Sequence, residues 1–229
     1  MPQPKILPAA GSGAAPGGRD YSALDRALMR LQGGMVRFSE TRSAPAENYP
    51  AAELPKGALT DSARRRAAGL MRVNHAGEVS AQALYRGQAL VARDIGVREH
   101  LLRAAAEERQ HLQWCELRLS ELREQPSRLS PLWYAGSFAI GAVAGIAGDR
   151  WNLGFVEETE RQVVEHLDQH LGELPKDDAR SRAIVTAMKA DEARHGDEAA
   201  AAGARALPPP LKRLMAAVSG VMKFWAYRI

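Results

Sequence analysis

Cysteine is almost missing from this 229-residue chain, in which Cys115 stands alone. An intrachain disulfide scaffold is therefore excluded, and a cysteine cluster for iron–sulfur chemistry is excluded with it. A reducing compartment is the natural setting. No charge-free apolar stretch reaches the roughly 20 residues that a membrane-spanning helix needs. The opening MPQPKILPAAGSG lacks a basic segment ahead of a long apolar run, so no secretory signal is expected. No alternating apolar and polar stretch is found, which argues against strands. No Gly-x-Gly-x-x-Gly fingerprint follows a strand, so a built-in dinucleotide site is not expected either. Hydrophobic residues still make up 45% of the chain, enough to exclude disorder throughout. The formal net charge of +4 leans towards anionic surfaces without demanding nucleic acid.

Punctuation by proline and glycine divides the chain. Residues 1–58 read as a flexible leader, rich in Pro, Gly, Ala and Ser over 1–20, with one short amphipathic helix over Tyr21–Leu31. Pro45, Pro50 and Pro55 mark an irregular connector. Residues 59–229 form the folded domain, dominated by Ala, Arg, Glu and Leu. Asp61 or Ser62 caps a helix running to Ile95, with Gly96 as its stop. Further helices are expected over 97–124, 131–148, 149–171, 176–207 and 211–227. Four long helices and two shorter ones make an all-α bundle.

Two of the long helices carry Glu-x-x-His: Glu108 with His111, and Glu192 with His195. Residues three apart share a helix face, so each pair presents a carboxylate and an imidazole to one point. Glu78 precedes Glu108 by 30 residues and Glu160 precedes Glu192 by 32, as in a duplicated helix pair. Antiparallel neighbours joined by short loops return such residues to the same height. On the fourth helix Glu157, Glu158 and Glu160 compete for the inward place. Glu160 lies on a stripe with Val156, Val163, Val164 and Leu167 and is chosen, with Glu157 as the fallback. Glu158 shares its face with Arg161, Gln162 and Glu165 and reads as solvated. Glu107 and Asp191 read as exposed, or as outer partners of the site. Burying four carboxylates together is prohibitive without cations. Four carboxylates and two imidazoles suit a pair of iron or manganese ions, the known arrangement of ferritin-like dimetal proteins.

The segments RVNHAGEVSAQALYRGQAL (72–90), EERQHL (107–112), VEETERQVVEHLDQHL (156–171) and DEARHGDEA (191–199) together resemble the demethoxyubiquinone hydroxylase family. The resemblance spans about Leu59–Ile229, and its Asn-His-Ala-Gly-Glu motif is distinctive. It implies a ferritin-like four-helix bundle with two added helices and a late ring hydroxylation in ubiquinone biosynthesis. By position it puts the metal ligands on Glu78, Glu108, His111, Glu160, Glu192 and His195, with Glu108 and Glu192 bridging two Fe ions. It also implies O₂ as co-substrate, NADH or a separate reductase as electron donor, and a polyprenyl quinone substrate. Other proteins of ubiquinone biosynthesis, and a small homo-oligomer, are the partners it allows.

A polyprenyl quinone resides in lipid, so membrane contact is expected. Leu132–Gly148 is 17 residues without charge, with Gly136, Gly141, Gly145 and Gly148 suited to close helix contact. That segment is either a wholly buried bundle helix or one dipping into a single leaflet, with Trp133 and Tyr134 at headgroup level. The last helix puts Leu214, Met215, Val218, Val221, Met222 and Trp225 on an apolar side, edged by Lys212, Arg213, Lys223 and Arg228. Peripheral attachment to one leaflet, facing the cytoplasm or an equivalent reducing compartment, is the preferred expectation. The rivals are a tRNA-modifying di-iron hydroxylase and an iron-storage protein. The arginines are too scattered for the first, and the apolar third helix is awkward in the soluble shell of the second.

Overall fold

A computed structural model describes residues 48–229. The helix expected over Tyr21–Leu31 lies outside the described residues. Within them are six helices and no strand: α1 (Asp61–Val91), α2 (Ile95–Glu121), α3 (Ser130–Ile146), α4 (Asp149–Glu173), α5 (Ala179–Ala201) and α6 (Pro209–Arg228). This is the expected all-α, ferritin-like bundle.

Side-chain caps move several boundaries. Thr60, not Asp61 or Ser62, caps α1, its Oγ1 accepting from the Ala63 N–H at 3.3 Å. Helix α1 stops at Val91, and Gly96 falls inside α2 instead of closing α1. Asp94 is the cause: its Oδ1 accepts from the Val97 N–H at 3.0 Å and starts the new helix. Asp149 accepts from the N–H groups of Arg93 and Asp94 and fixes the link. A carboxylate that satisfies orphan donors outweighs a glycine that merely permits a turn. Asp178 likewise caps α5 through the Ser181 N–H, so that helix begins at Ala179 and not Lys176. Helix α5 ends at Ala201, ahead of a turn in which Gly203 takes φ 96°, while Gly172 is absorbed into α4.

Short links make α1 and α2, and then α4 and α5, antiparallel neighbours. Two apolar layers hold these four helices together. One contains Leu70, Met71, Trp114, Cys115, Leu119, Leu167, Leu174, Ile184, Val185 and Met188. The other contains Leu84, Tyr85, Leu101, Ala104, Ala105, Val156 and Ala199. On every one of the four helices the metal-ligand candidates fall between the residues given to the two layers. The fold thus encloses a polar slab within an apolar bundle.

Helices α3 and α6 lie outside this core, against α1. The α1–α3 contact is backbone to backbone. A Cβ on Gly87 would stand 2.2 Å from Phe138 O, and one on Gly141 would stand 2.1 Å from Leu84 O. Gly145 is also buried against α1, whereas a Cβ on Gly136 would meet nothing within 4 Å. Trp133 of α3 and Met222 and Ala226 of α6 join Val73 and Ala76 of α1 in one small apolar cluster. Helix α3 is therefore not wholly buried: Leu132, Ile140, Val143 and Ile146 are exposed. Tyr134, expected at headgroup level, is instead buried with its hydroxyl accepting from Arg86 at 3.2 Å, and Trp133 is half-buried. No helix among the described residues is long and apolar enough to cross a membrane.

Candidate metal centre

All six residues singled out from the sequence converge in the polar slab, and all are buried. Helix α1 delivers Glu78, α2 delivers Glu108 and His111, α4 delivers Glu160, and α5 delivers Glu192 and His195. Their donor atoms form two groups, each with its atoms within 4.8 Å of one another. Glu78, Glu108, His111 and Glu192 make the first, and Glu108, Glu160, Glu192 and His195 the second. Glu108 and Glu192 belong to both.

Both imidazoles turn Nδ1 inward. His111 Nδ1 lies 3.1 Å from Glu108 Oε2, 3.1 Å from Glu192 Oε1 and 3.7 Å from Glu78 Oε2. His195 Nδ1 lies 3.2 Å from Glu108 Oε1 and 3.3 Å from Glu192 Oε2. The ring centroids are 6.4 Å apart. The outward nitrogens have carboxylate partners of their own: His111 Nε2 is 3.1 Å from Asp191 Oδ2, and His195 Nε2 is 2.8 Å from Glu107 Oε2.

The electrostatics are those of a cage that needs cations. Burial raises the carboxyl groups of Glu78 and Glu160 well above the ordinary range, and Glu192 beside Glu160 adds to the effect there. Burial alone would raise Glu108 too, but hydrogen bonds from His111 and His195 hold it low. Burial opposes charge on His195, yet bonds to Glu108 and Glu192 push it up to about 11. His111 rises as well, its burial outweighed by bonds to Asp191, Glu108, Glu192 and Glu78. Glu160 Oε1 is buried without any hydrogen-bond partner. A carboxylate oxygen left without a donor, among four buried acids, fits a bound cation far better than a protein-only network. Oxygen and imidazole donors with no thiolate suit iron or manganese.

The competing acids of α4 separate clearly. Glu160 enters the cage, and Glu157 is half-buried and in neither group. Glu158 is not solvated as expected: it is buried and bonded to Arg161, Gln162 and Lys212. Lys212 comes from α6, and no inspection of α4 alone could supply it. His75 is buried with Nε2 3.5 Å from Glu116, outside both ligand groups. Cys115 and Trp114 pack, the sulfur 3.9 Å from Met188 and the indole against the His111 ring. Arg194, which carries no spacing signal in the sequence, meets both outer carboxylates.

The family model described as "Ubiquinone biosynthesis protein COQ7" matches residues 65–226, which include every one of these ligand candidates. The chain belongs to this family. Similar proteins carry the name 3-demethoxyubiquinol 3-hydroxylase. The protein of Xanthomonas campestris pv. campestris is 56% identical over 213 residues, covering 93% of this chain and 98% of its own. That of Xanthomonas oryzae pv. oryzae is 56% identical over 211 residues, covering 92% of this chain and 97% of its own. That of Ralstonia pickettii is 56% identical over 209 residues, covering 90% and 96%. COQ7 membership and likeness along almost the whole length agree with the resemblance drawn from the four motifs.

Proposed function

We propose that this chain is a di-iron monooxygenase that hydroxylates the ring of demethoxyubiquinone, a polyprenyl benzoquinone, in ubiquinone biosynthesis while attached to one membrane leaflet. The names of the relatives specify the reduced ring, the quinol. The observation that carries the proposal is the pair of buried ligand groups sharing Glu108 and Glu192, in a chain so similar to named quinol hydroxylases. Glu78 and His111 would hold one ion, Glu160 and His195 the other, and Glu108 and Glu192 would bridge them. Iron bound there would supply O₂ activation: one oxygen atom would enter the ring C–H bond as a hydroxyl and the other would leave as water, with two electrons from NADH or a reductase and two protons.

The chain's own residues do the rest. With metal bound, Glu107 and Asp191 would accept from the outward Nε2–H groups, leaving each Nδ1 as the ligand atom. The apolar layers on either side of the slab exclude bulk water from the reacting groups. The exposed apolar residues of α3, continued on α6 by Leu214, Val218, Val221, Phe224 and Trp225, support attachment to a leaflet. Lys212 is taken by Glu158, which leaves Arg213 and Arg228 exposed beside that face. The tRNA and iron-storage alternatives draw no support from the named relatives.

The test is incorporation of label. Iron-loaded protein, given a reductant, the short-tailed demethoxyubiquinol analogue and ¹⁸O₂, should yield a product one labelled oxygen heavier by mass spectrometry. Product labelled from water, or no product from protein containing two irons, would overturn the assignment.

A further inference from the structure

The two outer carboxylates are crossed. Glu107 stands beside Glu108 on α2 but meets the histidine of α5, and Asp191 stands beside Glu192 on α5 but meets the histidine of α2. Each is substantially open to solvent, with side chains 49% and 36% exposed. A water-exposed carboxylate with a single hydrogen bond is poorly ordered, and two such acids on facing helices repel one another. Arg194 lies between them. Its Nη2 is 3.4 Å from Glu107 Oε2, 3.5 Å from Asp191 Oδ1 and 3.3 Å from His195 Nε2, while Nη1 is held 3.0 Å from Glu198 Oε1.

We propose that Arg194 is a positioning residue that joins Glu107 and Asp191 into one strap across α2 and α5, fixing both imidazoles with Nδ1 towards the metals. The planar guanidinium suits this role. It offers several donors in a rigid fork, and it offsets the negative charge of both acids without giving up its proton. Glu198 one turn later steadies the fork from the far side. Partners of the outward nitrogen set the orientation and tautomer of a ligating histidine, and losing one typically costs about 10–100-fold in metal affinity. The strap is common to both histidines, so loss of Arg194 should weaken both ion sites together and not one alone. The inference rests on the dimetal reading proposed above.

The experiment is an anaerobic titration of chelator-stripped full-length protein with Co(II), followed by visible absorption and bound-metal analysis. Wild type should take up two Co(II) per chain. Arg194→Gln should bind both about tenfold more weakly, with altered ligand-field bands. Lys189→Gln removes an ion pair of α5 with Asp168 that is not part of the strap and should titrate like wild type. Arg194→Lys keeps the charge without the fork and should fall between the two. It also serves if the helical circular dichroism of the Gln variant is reduced. Wild-type affinity and spectrum in both Arg194 variants would overturn the strap while leaving the dimetal centre intact. Failure of wild type to bind Co(II) would overturn the dimetal reading, and the strap with it.

Discussion

Without metal, the cage balances its buried acids with protons. His195 is pushed up to about 11, His111 is raised also, and burial keeps Glu78 and Glu160 inclined to hold theirs. Imidazolium groups thus stand where cations would sit. Metal can bind Nδ1 only after its proton leaves. Loading at pH 7 should therefore release two or more protons per chain, and affinity should fall as pH falls. Calorimetry in buffers of differing ionisation enthalpy measures this directly, and a buffer-independent heat would contradict it. The linkage has a second consequence with a definite sign. The folded-state pKa of His195 lies above its ordinary 6.5, so its contribution to metal-free stability is complete below pH 6.5. That contribution is lost as pH rises through about 11, and metal loading should flatten the alkaline decline in Tm. Substitutions distinguish the acids. Glu108→Ala removes a carboxylate common to both ligand groups and should bring iron content towards zero. Glu160→Gln should abolish hydroxylation, whereas Glu157→Gln should retain most of it. Full iron occupancy in the first, or the reverse order of activities in the second pair, would refute these roles.

Each helix reveals its own face, but not who sits on it. The cage was legible because its ligands repeat at fixed spacings within helices, on stripes whose apolar members such as Val156, Leu167, Val185 and Met188 are buried in the structure. Boundaries were less legible, since Asp94 and Asp178 act through N–H groups that exist as orphans only once the helix has begun. Glu158 was misjudged because its neighbours on α4 are polar, while the residue that covers it arrives from α6. Lys212 Nζ lies 2.8 Å from Glu158 Oε2, and Gln162 Nε2 donates both to Glu158 and to Lys212 O. Burial would raise this carboxyl, but bonds from Arg161, Gln162 and Lys212 bring it down to about 2. A depressed pKa contributes stability that is present above about 4.5 and lost as pH falls through about 2. Glu158→Gln should accordingly speed hydrogen exchange in α6 at neutral pH, leave exchange in α2 and α5 unchanged, and remove the acid sensitivity of α6. Uniform loss of protection across all helices would mean that Glu158 supports the bundle and not the docking of α6.

At the scale of the whole molecule the question is what the apolar side formed by α3 and α6 is for. Three glycines could have let α3 sink between other helices, yet the close backbone contacts of Gly141 and Gly145 are with Leu84 and Gln88 of α1. Leu132, Ile140, Val143 and Ile146 stay in the open, and α6 exposes apolar residues of its own. A face of this kind suits a lipid surface, and a long-tailed quinone would meet the enzyme there. Val143 decides the matter, being 69% exposed and so outside the core. A charge at such a position changes folding stability little, within about 0.5 kcal/mol. Withdrawing a buried valine from lipid, by contrast, forfeits about 1.5–3 kcal/mol, and a charged replacement adds to that loss. Val143→Asp should therefore remain helical, keep its iron and turn over a short-tailed quinol at the wild-type rate in detergent-free buffer. Its binding to vesicles in a flotation assay should drop roughly ten- to a hundredfold, and its activity on long-tailed quinol in those vesicles should drop in parallel. Aggregated or iron-free protein would place Val143 in a packed interface instead. Undiminished flotation would remove α3 from the membrane contact and leave α6 to carry it alone.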